Sequence, residues 1–294
     1  MSQERMRVAV VQLNASEDVE ANLAALTAQV EAAAADGAEL IGLPENATFL
    51  GSEQLKCEQA EIIGAGVGGA EGVADPRGPD PSSPVQARLA ALAARHGVYL
   101  LVGGVPEHSG DESRPYNTSV LFDRSGVTHA RYRKIHLFDI DLPGGGSLRE
   151  SHATTGGDEV VVTEVVSRAG RRCKLGLSVC YDLRFPELYR AQVAAGAEIL
   201  TVPAAFTAQT GPAHWRVLLR ARAIENQCWL LAPAQWGKHP RDRASHGHAM
   251  IVDPWGTVVA ECSEGVGFAA ATLDFSYQHQ VRSRLPCLSH RRLP

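Results

Sequence analysis

The sequence predicts an α/β protein in which mixed β-sheets are stacked in layers and covered by helices. Short apolar segments with strand character alternate with amphipathic helical segments along the whole 294-residue chain. Many strand segments are apolar at consecutive positions, which is typical of strands covered on both faces. No change in composition marks a boundary, so we expect one domain over residues 1–294.

The N-terminal part of the chain has the pattern of two parallel strands joined by a helix. RVAVVQLN (7–14) has the length and valine content of a buried strand, and ELIGLPEN (39–46) is a second one. Between them, apolar residues recur at steps of three and four. Asp18 is a candidate N-cap, and Gly37 is a candidate left-handed residue after the helix end. A strand, a helix and a strand in this order predict parallel pairing.

The later elements follow from the same signals, namely proline or serine at helix starts and glycine-containing turns between strands. Residues 64–84, rich in Gly, Pro, Ala and Asp, are predicted to be a mobile loop whose glycines match neither common phosphate-binding pattern. The other predicted elements are a helix from Ser83-Pro84 to Gly97, a strand at 98–105, hairpins at 117–134 and 160–180, a helix from Pro186 to about Ala195, a strand at 198–206, a helix from about Ala213 to Asn226, a strand at 228–235, a hairpin at 248–261, a strand at 267–275 and a short C-terminal helix.

Composition and charge exclude several classes of function. Hydrophobic residues make up 45% of the chain and charged residues 21%, as in an ordinary globular protein. The net charge is -5 with no basic tract, so we expect binding neither to nucleic acid nor to an anionic membrane. The apolar runs fall short of the ~20 residues of a membrane-spanning helix. No secretory signal is evident, and we therefore expect a cytoplasmic protein.

The cysteines give no sign of a disulfide framework or a metal site. They form neither a CxxC pair nor a Cys/His ligand cluster, and most are expected to be inert packing residues. The cysteines are Cys57, Cys173, Cys180, Cys228, Cys262 and Cys287.

Cys180 stands where the apolar segment KLGLSVC (174–180) changes abruptly to polar residues. We expect it to end a strand at a sheet edge, where active sites of layered α/β folds collect. The N–H of Tyr181 follows at the bend and can donate to an oxyanion. A thiol is only a few per cent ionised at neutral pH, so a nucleophilic cysteine needs a base or a cation. The alternative is a buried packing residue.

Two charged residues also follow strand segments. Lys134 ends the hairpin at 117–134, and a lysine facing a pocket can lower the pKa of a thiol and balance an oxyanion. Glu45 follows a strand and a proline, and a partly desolvated carboxylate can exchange a proton with the thiol. Taken alone, each of them has the commoner alternative of an ordinary surface charge.

Histidine is the other common partner of a nucleophilic cysteine. The spacing of the histidines selects none of them, so the residues by themselves leave the identity of the base open between histidine and glutamate. The histidines near candidate loops are His136, His214, His246 and His248.

Three segments together carry a family likeness. LPEN around Glu45, YRKIHLFDID around Lys134 and LSVCYDLRFPEL around Cys180 resemble, in order, the signature segments of the nitrilase superfamily, the carbon-nitrogen hydrolases. The likeness extends over essentially the whole chain. It implies a four-layer α-β-β-α sandwich with mixed sheets and a Glu-Lys-Cys catalytic set.

The resemblance also implies a role for each residue. Glu45 is then the general base and acid, Lys134 stabilises the tetrahedral intermediate together with the Tyr181 N–H, and Cys180 is the nucleophile. Glu150 falls where related enzymes carry a second glutamate that orients the site. The implied reaction needs no metal ion and no organic cofactor.

Residues 203–239 resemble the Nit branch of this family. That likeness implies hydrolysis of a small 2-oxo acid amide, first of all deaminated glutathione, to 2-oxoglutarate and cysteinylglycine. Arg184 matches the position that binds the substrate carboxylate, and Phe206 and Thr210 match positions that line the pocket. As an alternative, Arg184 forms a structural salt bridge with Glu187 or Asp182.

Two other functions remain open. KIHLFDIDLPG is equally similar to ω-amidases, which act on 2-oxoglutaramate or 2-oxosuccinamate and release ammonia. A catalytically idle binding scaffold is the alternative from a different class, since a fold does not determine a function. By resemblance, the assembly is expected to be a homodimer or a higher even homo-oligomer.

Overall fold

The computed structural model describes residues 3–64, 83–141 and 147–293. Residues 65–82 of the predicted glycine-rich loop lie outside the described residues. The helices are α1 Val19–Ala35, α2 Glu53–Glu58, α3 Pro84–His96, α4 Pro186–Ala194, α5 Gly211–Asn226 and α6 Phe275–Arg284. The strands are β1 Arg5–Leu13, β2 Leu40–Leu43, β3 Tyr99–Glu107, β4 Tyr116–Phe122, β5 Thr128–Arg133, β6 Asp139–Asp141, β7 Ser147–Arg149, β8 Val162–Val166, β9 Arg172–Gly176, β10 Ile199–Thr201, β11 Trp229–Ala232, β12 Ala234–Lys238, β13 Ala244–His246, β14 Met250–Val252, β15 Val258–Glu261 and β16 Gly267–Asp274.

Two large mixed sheets form the centre of the molecule. The first has the strand order β13-β12-β1-β2-β3-β4-β5, and β16 pairs with β1 in antiparallel register. The second has the order β15-β14-β11-β10-β9-β8. The short strands β6 and β7 pair separately. As predicted, β1 and β2 are parallel, with Val8 opposite Leu40.

The two faces of the first sheet pack against different layers. Val8 and Val10 of β1 share a buried cluster with Leu175 and Ile199 of the second sheet. The alternate residues of β1, Ala9 and Val11, face a cluster that contains apolar residues of α1 and α3. Helices α4 and α5 cover the second sheet. The predicted sandwich with helices outside two stacked sheets is therefore confirmed.

The helix ends agree with the sequence signals in most places. The side chain of Asp18 accepts a hydrogen bond from the Ala21 N–H and caps α1. Gly37 and Gly97 both have positive φ just after their helices. Ser83 precedes Pro84 but makes no capping hydrogen bond with its side chain.

The prediction of one strand at 228–235 was wrong. Residues Trp229–Ala232 belong to the second sheet, and Ala234–Lys238 belong to the first. Pro233 lies between them. Proline has no N–H for a sheet ladder, and its restricted φ favours a break in pairing. The chain crosses from one sheet to the other at this point.

The predicted strand at 198–206 is shorter than expected, because pairing with the second sheet ends at Thr201. The residues that follow run between the two sheets. Ala204 makes a parallel bridge with Ala234, and the Pro203 carbonyl accepts a hydrogen bond from the Cys180 N–H at 2.8 Å. The chain just after β10 thereby contacts the segment that carries Cys180.

Within the described ranges, none of the helices combines the length and the apolar character needed to cross a bilayer.

The contact between Gly103 and Pro203 yields a stability prediction. A Cβ atom added at Gly103 would lie 1.9 Å from the Pro203 Cβ and 3.0 Å from the Leu43 carbonyl oxygen. We expect Gly103→Ala to lower the free energy of unfolding by about 1–3 kcal/mol, as overpacked cores do. Urea denaturation measures the change. Gly267→Ala is the control, because nothing lies within 4 Å of its added Cβ. An equal midpoint for the two variants would contradict this account of the sheet contact.

Candidate active site

The ammonium group of Lys134 lies between two carboxylates. Its Nζ donates to Glu45 Oε1 at 3.1 Å and to both oxygens of Glu150, at 3.1 and 2.8 Å. The Lys134 and Glu45 side chains are only 2% and 5% exposed. A buried charge is stable only when it is paired, and this lysine has two acidic partners.

Each of these side chains comes from a residue just after a strand. Glu45 follows β2 and Pro44, and Lys134 follows β5 directly. Glu150 begins a short 3₁₀ turn after β7. The chain therefore delivers residues from separate segments to one end of the first sheet.

Asn117, which the sequence analysis missed, links the two carboxylates. Its Nδ2 donates to Glu45 Oε1 at 3.0 Å and to Glu150 Oε1 at 3.2 Å. Its backbone carbonyl accepts from the Lys134 N–H at 2.8 Å. The other oxygen of Glu45 accepts from the Ala205 N–H at 2.9 Å. The Glu45 carboxylate is therefore held on both oxygens.

The prediction that Cys180 ends a strand was wrong. Strand β9 ends at Gly176, and Cys180 begins a 3₁₀ turn over Cys180–Arg184. The φ of Cys180 is 47°, a left-handed value that is uncommon outside glycine. Tyr181 is the second residue of this turn, where backbone N–H groups have no partner inside the helix.

The charges of the site act strongly on the lysine and on the second glutamate. Burial lowers the pKa of Lys134, but the carboxylates of Glu150 and Glu45 outweigh it and raise that pKa well above its ordinary value. Burial raises the pKa of Glu150, but Lys134 and then Lys56 outweigh it and lower that pKa to about 2. Lys134 and Glu150 are therefore both charged at neutral pH.

In contrast, the surroundings of the Cys180 thiol favour its neutral form. Cys180 is partly exposed as a residue, yet its thiol is desolvated. Burial and the negative charge of Glu45 raise the pKa of Cys180 well above its ordinary value, and Lys134 offsets this only in part. The resting group is therefore a neutral thiol beside a carboxylate. Such a pair can pass a proton from sulfur to Glu45 when an electrophile arrives.

Asp182 makes hydrogen bonds both to the segment that contains Cys180 and to the segment that contains Lys134. It is fully buried, and its Oδ2 accepts from the Val179 N–H at 2.8 Å and from the Tyr132 hydroxyl at 2.7 Å. Its Oδ1 accepts from the backbone N–H and the Nδ1 of His136. From the sequence, Asp182 is expected only as a partner for Arg184. The position of Asp182, two residues after the cysteine, was the available signal.

Arg184, Phe206 and Thr210 lie together. The Arg184 guanidinium carbon is 5.2 Å from the centre of the Phe206 ring, and Arg184 Nη2 lies 3.5 Å from Thr210 Oγ1. Among the described residues, no carboxylate pairs with Arg184, so the alternative of a salt bridge with Glu187 or Asp182 was wrong. Asp182 is instead occupied by Tyr132 and His136.

The contacts found for the four candidate histidines are with groups other than the Cys180 thiol. His136 contacts Asp182, and His214 Nδ1 lies 3.3 Å from Arg184 Nη1. The rings of His246 and His248 contact each other, with centres 4.7 Å apart. The charged groups that act on Cys180 are Glu45, Lys134 and Glu150. The geometry therefore favours glutamate over histidine as the base. In the part of the chain that the structure describes, no group of His, Cys, Asp or Glu side chains is arranged to hold a metal ion.

The raised pKa of Cys180 predicts how its alkylation depends on pH. The thiolate fraction of a group titrating far above neutrality grows tenfold per pH unit, so the log of the alkylation rate should rise with a slope of about 1 from about pH 6 to about pH 9. Iodoacetamide labelling with peptide mapping isolates Cys180 from the other cysteines. A plateau below pH 8 would mean that the resting group is a thiolate, and would contradict the charge arrangement described above.

The chain is similar to known proteins along nearly its full length. The carbon-nitrogen hydrolase family matches residues 7–283. The deaminated glutathione amidase of Synechocystis sp. is 42% identical over 284 residues, which cover 96% of this chain and 97% of that protein. The crystal structure of Saccharomyces cerevisiae Nit3, of branch 10 of the nitrilase superfamily, has a TM-score of 0.81 at 30% identity and covers 99% of this chain and 97% of its own.

A third relative is known with a modified site. It is a mutant of the amidase from Nesterenkonia sp. AN1, with acrylamide added to the active site cysteine. Its TM-score is 0.72 at 27% identity, and the match covers 96% of this chain and 98% of that one. From the family match and these likenesses along nearly the full length, the chain belongs to the carbon-nitrogen hydrolase family.

Proposed function

We propose that this enzyme hydrolyses the linear C–N bond of a small 2-oxo acid amide through a thioester on Cys180, with deaminated glutathione as the preferred substrate. One observation carries the proposal: a buried lysine ammonium, paired with two carboxylates, acts electrostatically on a neutral thiol. This combination supplies a nucleophile, a proton acceptor and a positive charge in one place.

In the first half of the reaction, Glu45 accepts the proton of the Cys180 thiol as sulfur attacks the amide carbonyl carbon. The carbonyl oxygen becomes an oxyanion, which Lys134 Nζ and the Tyr181 N–H stabilise. Glu45 then returns the proton to the nitrogen, the C–N bond breaks, and the amine leaves. A thioester remains on Cys180.

In the second half, a water molecule attacks the thioester while Glu45 accepts one of its protons. The second oxyanion is held by the same two donors. The C–S bond then breaks, the carboxylic acid leaves, and the sulfur regains a proton from Glu45. The side chain of Glu45 thus acts alternately as base and acid, and its bonds to Asn117 and Ala205 keep it in one position.

Glu150 and Asn117 have a positioning role in this scheme. Glu150 is held by Lys134 and by the Phe138 N–H at 2.7 Å, so it remains charged and fixes the lysine side chain. An ammonium that is already oriented needs little reorganisation when the oxyanion forms.

The substrate class rests on Arg184 and on the relatives. A guanidinium near Phe206 and without a carboxylate partner among the described residues can bind the carboxylate of a 2-oxo acid, and Thr210 provides a hydroxyl beside it. The full-length relative from Synechocystis sp. is a deaminated glutathione amidase. Its likeness favours deaminated glutathione over 2-oxoglutaramate, the substrate of the ω-amidase alternative, from which ammonia departs.

The single-domain organisation, the cytoplasmic location and the homodimeric or higher even assembly stay predictions from the sequence.

A side-by-side assay tests the proposal. The purified protein is given deaminated glutathione, 2-oxoglutaramate and a matched amide that lacks the 2-oxo acid carboxylate, and kcat/KM is measured for each. We expect deaminated glutathione to exceed 2-oxoglutaramate, and the carboxylate-free amide to lose about tenfold or more, since each 1.4 kcal/mol of lost binding is a factor of ten.

Cys180→Ala is the control and should abolish turnover while the thermal unfolding midpoint changes little. A preference for 2-oxoglutaramate would favour the ω-amidase alternative. Absence of turnover on every 2-oxo acid amide would overturn the proposal and favour a binding scaffold.

A further inference from the structure

We infer that His136 is a positioning residue for the nucleophile, acting through the Asp182 carboxylate; the inference rests on the proposed function of Cys180. His136 lies two residues after Lys134, and Asp182 lies two residues after Cys180. A bond between them therefore joins the two chain segments that carry the lysine and the thiol.

The first step is the contact between Asp182 and the cysteine turn. The Asp182 N–H donates to the Val179 carbonyl at 3.1 Å, and the Val179 N–H donates back to Asp182 Oδ2 at 2.8 Å. This pair of bonds closes a short ring around Cys180. The left-handed backbone of Cys180 is unfavourable for a non-glycine residue and persists only where surrounding contacts hold it. The Asp182 carboxylate supplies such a contact.

The second step is the contact between Asp182 and the lysine segment. Asp182 Oδ1 accepts from the His136 N–H at 3.1 Å and from His136 Nδ1 at 2.7 Å. Because the Asp182 carboxylate oxygen can only accept this hydrogen bond, the proton must be on Nδ1 of His136. This assigns the tautomer of the ring. Since Asp182 is fully buried, each of its bonds is shielded from water and is worth more than a surface bond.

The His136 side chain makes two separate contributions, one by stacking and one by hydrogen bonding. Its ring stacks on the ring of Phe185, with centres 3.7 Å apart and planes 6° from parallel. Stacking packs the side chain, whereas the Nδ1–H bond orients Asp182. The Nδ1–H bond acts on the carboxylate that closes the ring around Cys180, whereas the stacking acts on Phe185 at the end of the turn. We therefore expect the two contributions to have different consequences for catalysis.

Two substitutions separate these contributions. In His136→Asn, the side-chain nitrogen stands at the same number of bonds from the backbone as Nδ1, so the donor is kept and the stacking is lost. In His136→Phe, the stacking is kept and the donor is lost. We expect His136→Phe to lower kcat about ten- to hundredfold, as small misplacements of reacting groups do, and His136→Asn to stay within about threefold of the parent enzyme.

Three properties are measured for each variant. They are kcat and KM on the 2-oxo acid amide with the highest kcat/KM in the side-by-side assay, the iodoacetamide alkylation rate of Cys180, and the thermal unfolding midpoint. KM should change less than kcat, because Arg184 is untouched. If His136→Phe does not fold, His136→Gln serves as the variant without the donor. The side-chain nitrogen of glutamine lies one bond too far from the backbone to take the place of Nδ1. His279→Phe, at an exposed histidine of α6, is the matched control and should leave kcat unchanged.

The outcomes are distinct. Loss of kcat in the variant without the donor, and its retention in His136→Asn, supports the inference. Equal kcat in both variants, whether high or low, or loss in His136→Asn alone, overturns it while the proposed function stands. Turnover that survives Cys180→Ala overturns the proposed function and the inference together.

Discussion

The buried ammonium of Lys134 is the constraint on which the rest of the site depends. Moving an isolated charge into a protein interior costs several kcal/mol, and only close partners and hydrogen bonds offset this cost. Glu45 and Glu150 are those partners. Two carboxylates around one lysine leave the cluster with a net negative charge. Burial of the neighbouring Cys180 thiol and this excess of negative charge together keep the thiol protonated.

The negative charge makes this site different from one with a thiolate-imidazolium pair. A preformed thiolate needs a net positive surrounding, but here burial and Glu45 keep the proton on sulfur. In the proposed mechanism the nucleophile is then generated when the substrate binds, and Glu45 takes its proton. In the same mechanism Glu45 afterwards returns this proton to the leaving amine. The electrostatics of the resting enzyme thus fit a role for Glu45 as both base and acid.

Much of the fold and part of the site were predictable from local sequence. Alternating and continuous apolar runs placed most strands, and the polar residues after them marked Glu45, Lys134 and Cys180 as candidates. Their convergence was not visible in local patterns, because it depends on pairing between segments far apart in the chain. The family resemblance supplied that expectation, and the geometry agrees with it.

Other features depend on tertiary contacts that no local pattern encodes. The crossing of the chain between sheets at Pro233 joins two segments that read as one apolar strand. The left-handed backbone of Cys180 is held by Asp182 and by the Pro203 carbonyl. The contact with Pro203 is recognisable only once the chain is folded. Asn117 looks like an ordinary strand residue, yet it bonds to both carboxylates.

A double-mutant cycle on Lys134 and Glu150 tests the central claim most directly, through the free energy of unfolding in urea. Lys134→Met leaves buried carboxylates without their cation and should cost about 3–5 kcal/mol. Adding Glu150→Gln neutralises one of them, so the double variant should be more stable than the sum of the single changes by more than about 1 kcal/mol. Additive effects, within about 0.5 kcal/mol, would contradict the claim that the two charges sustain each other.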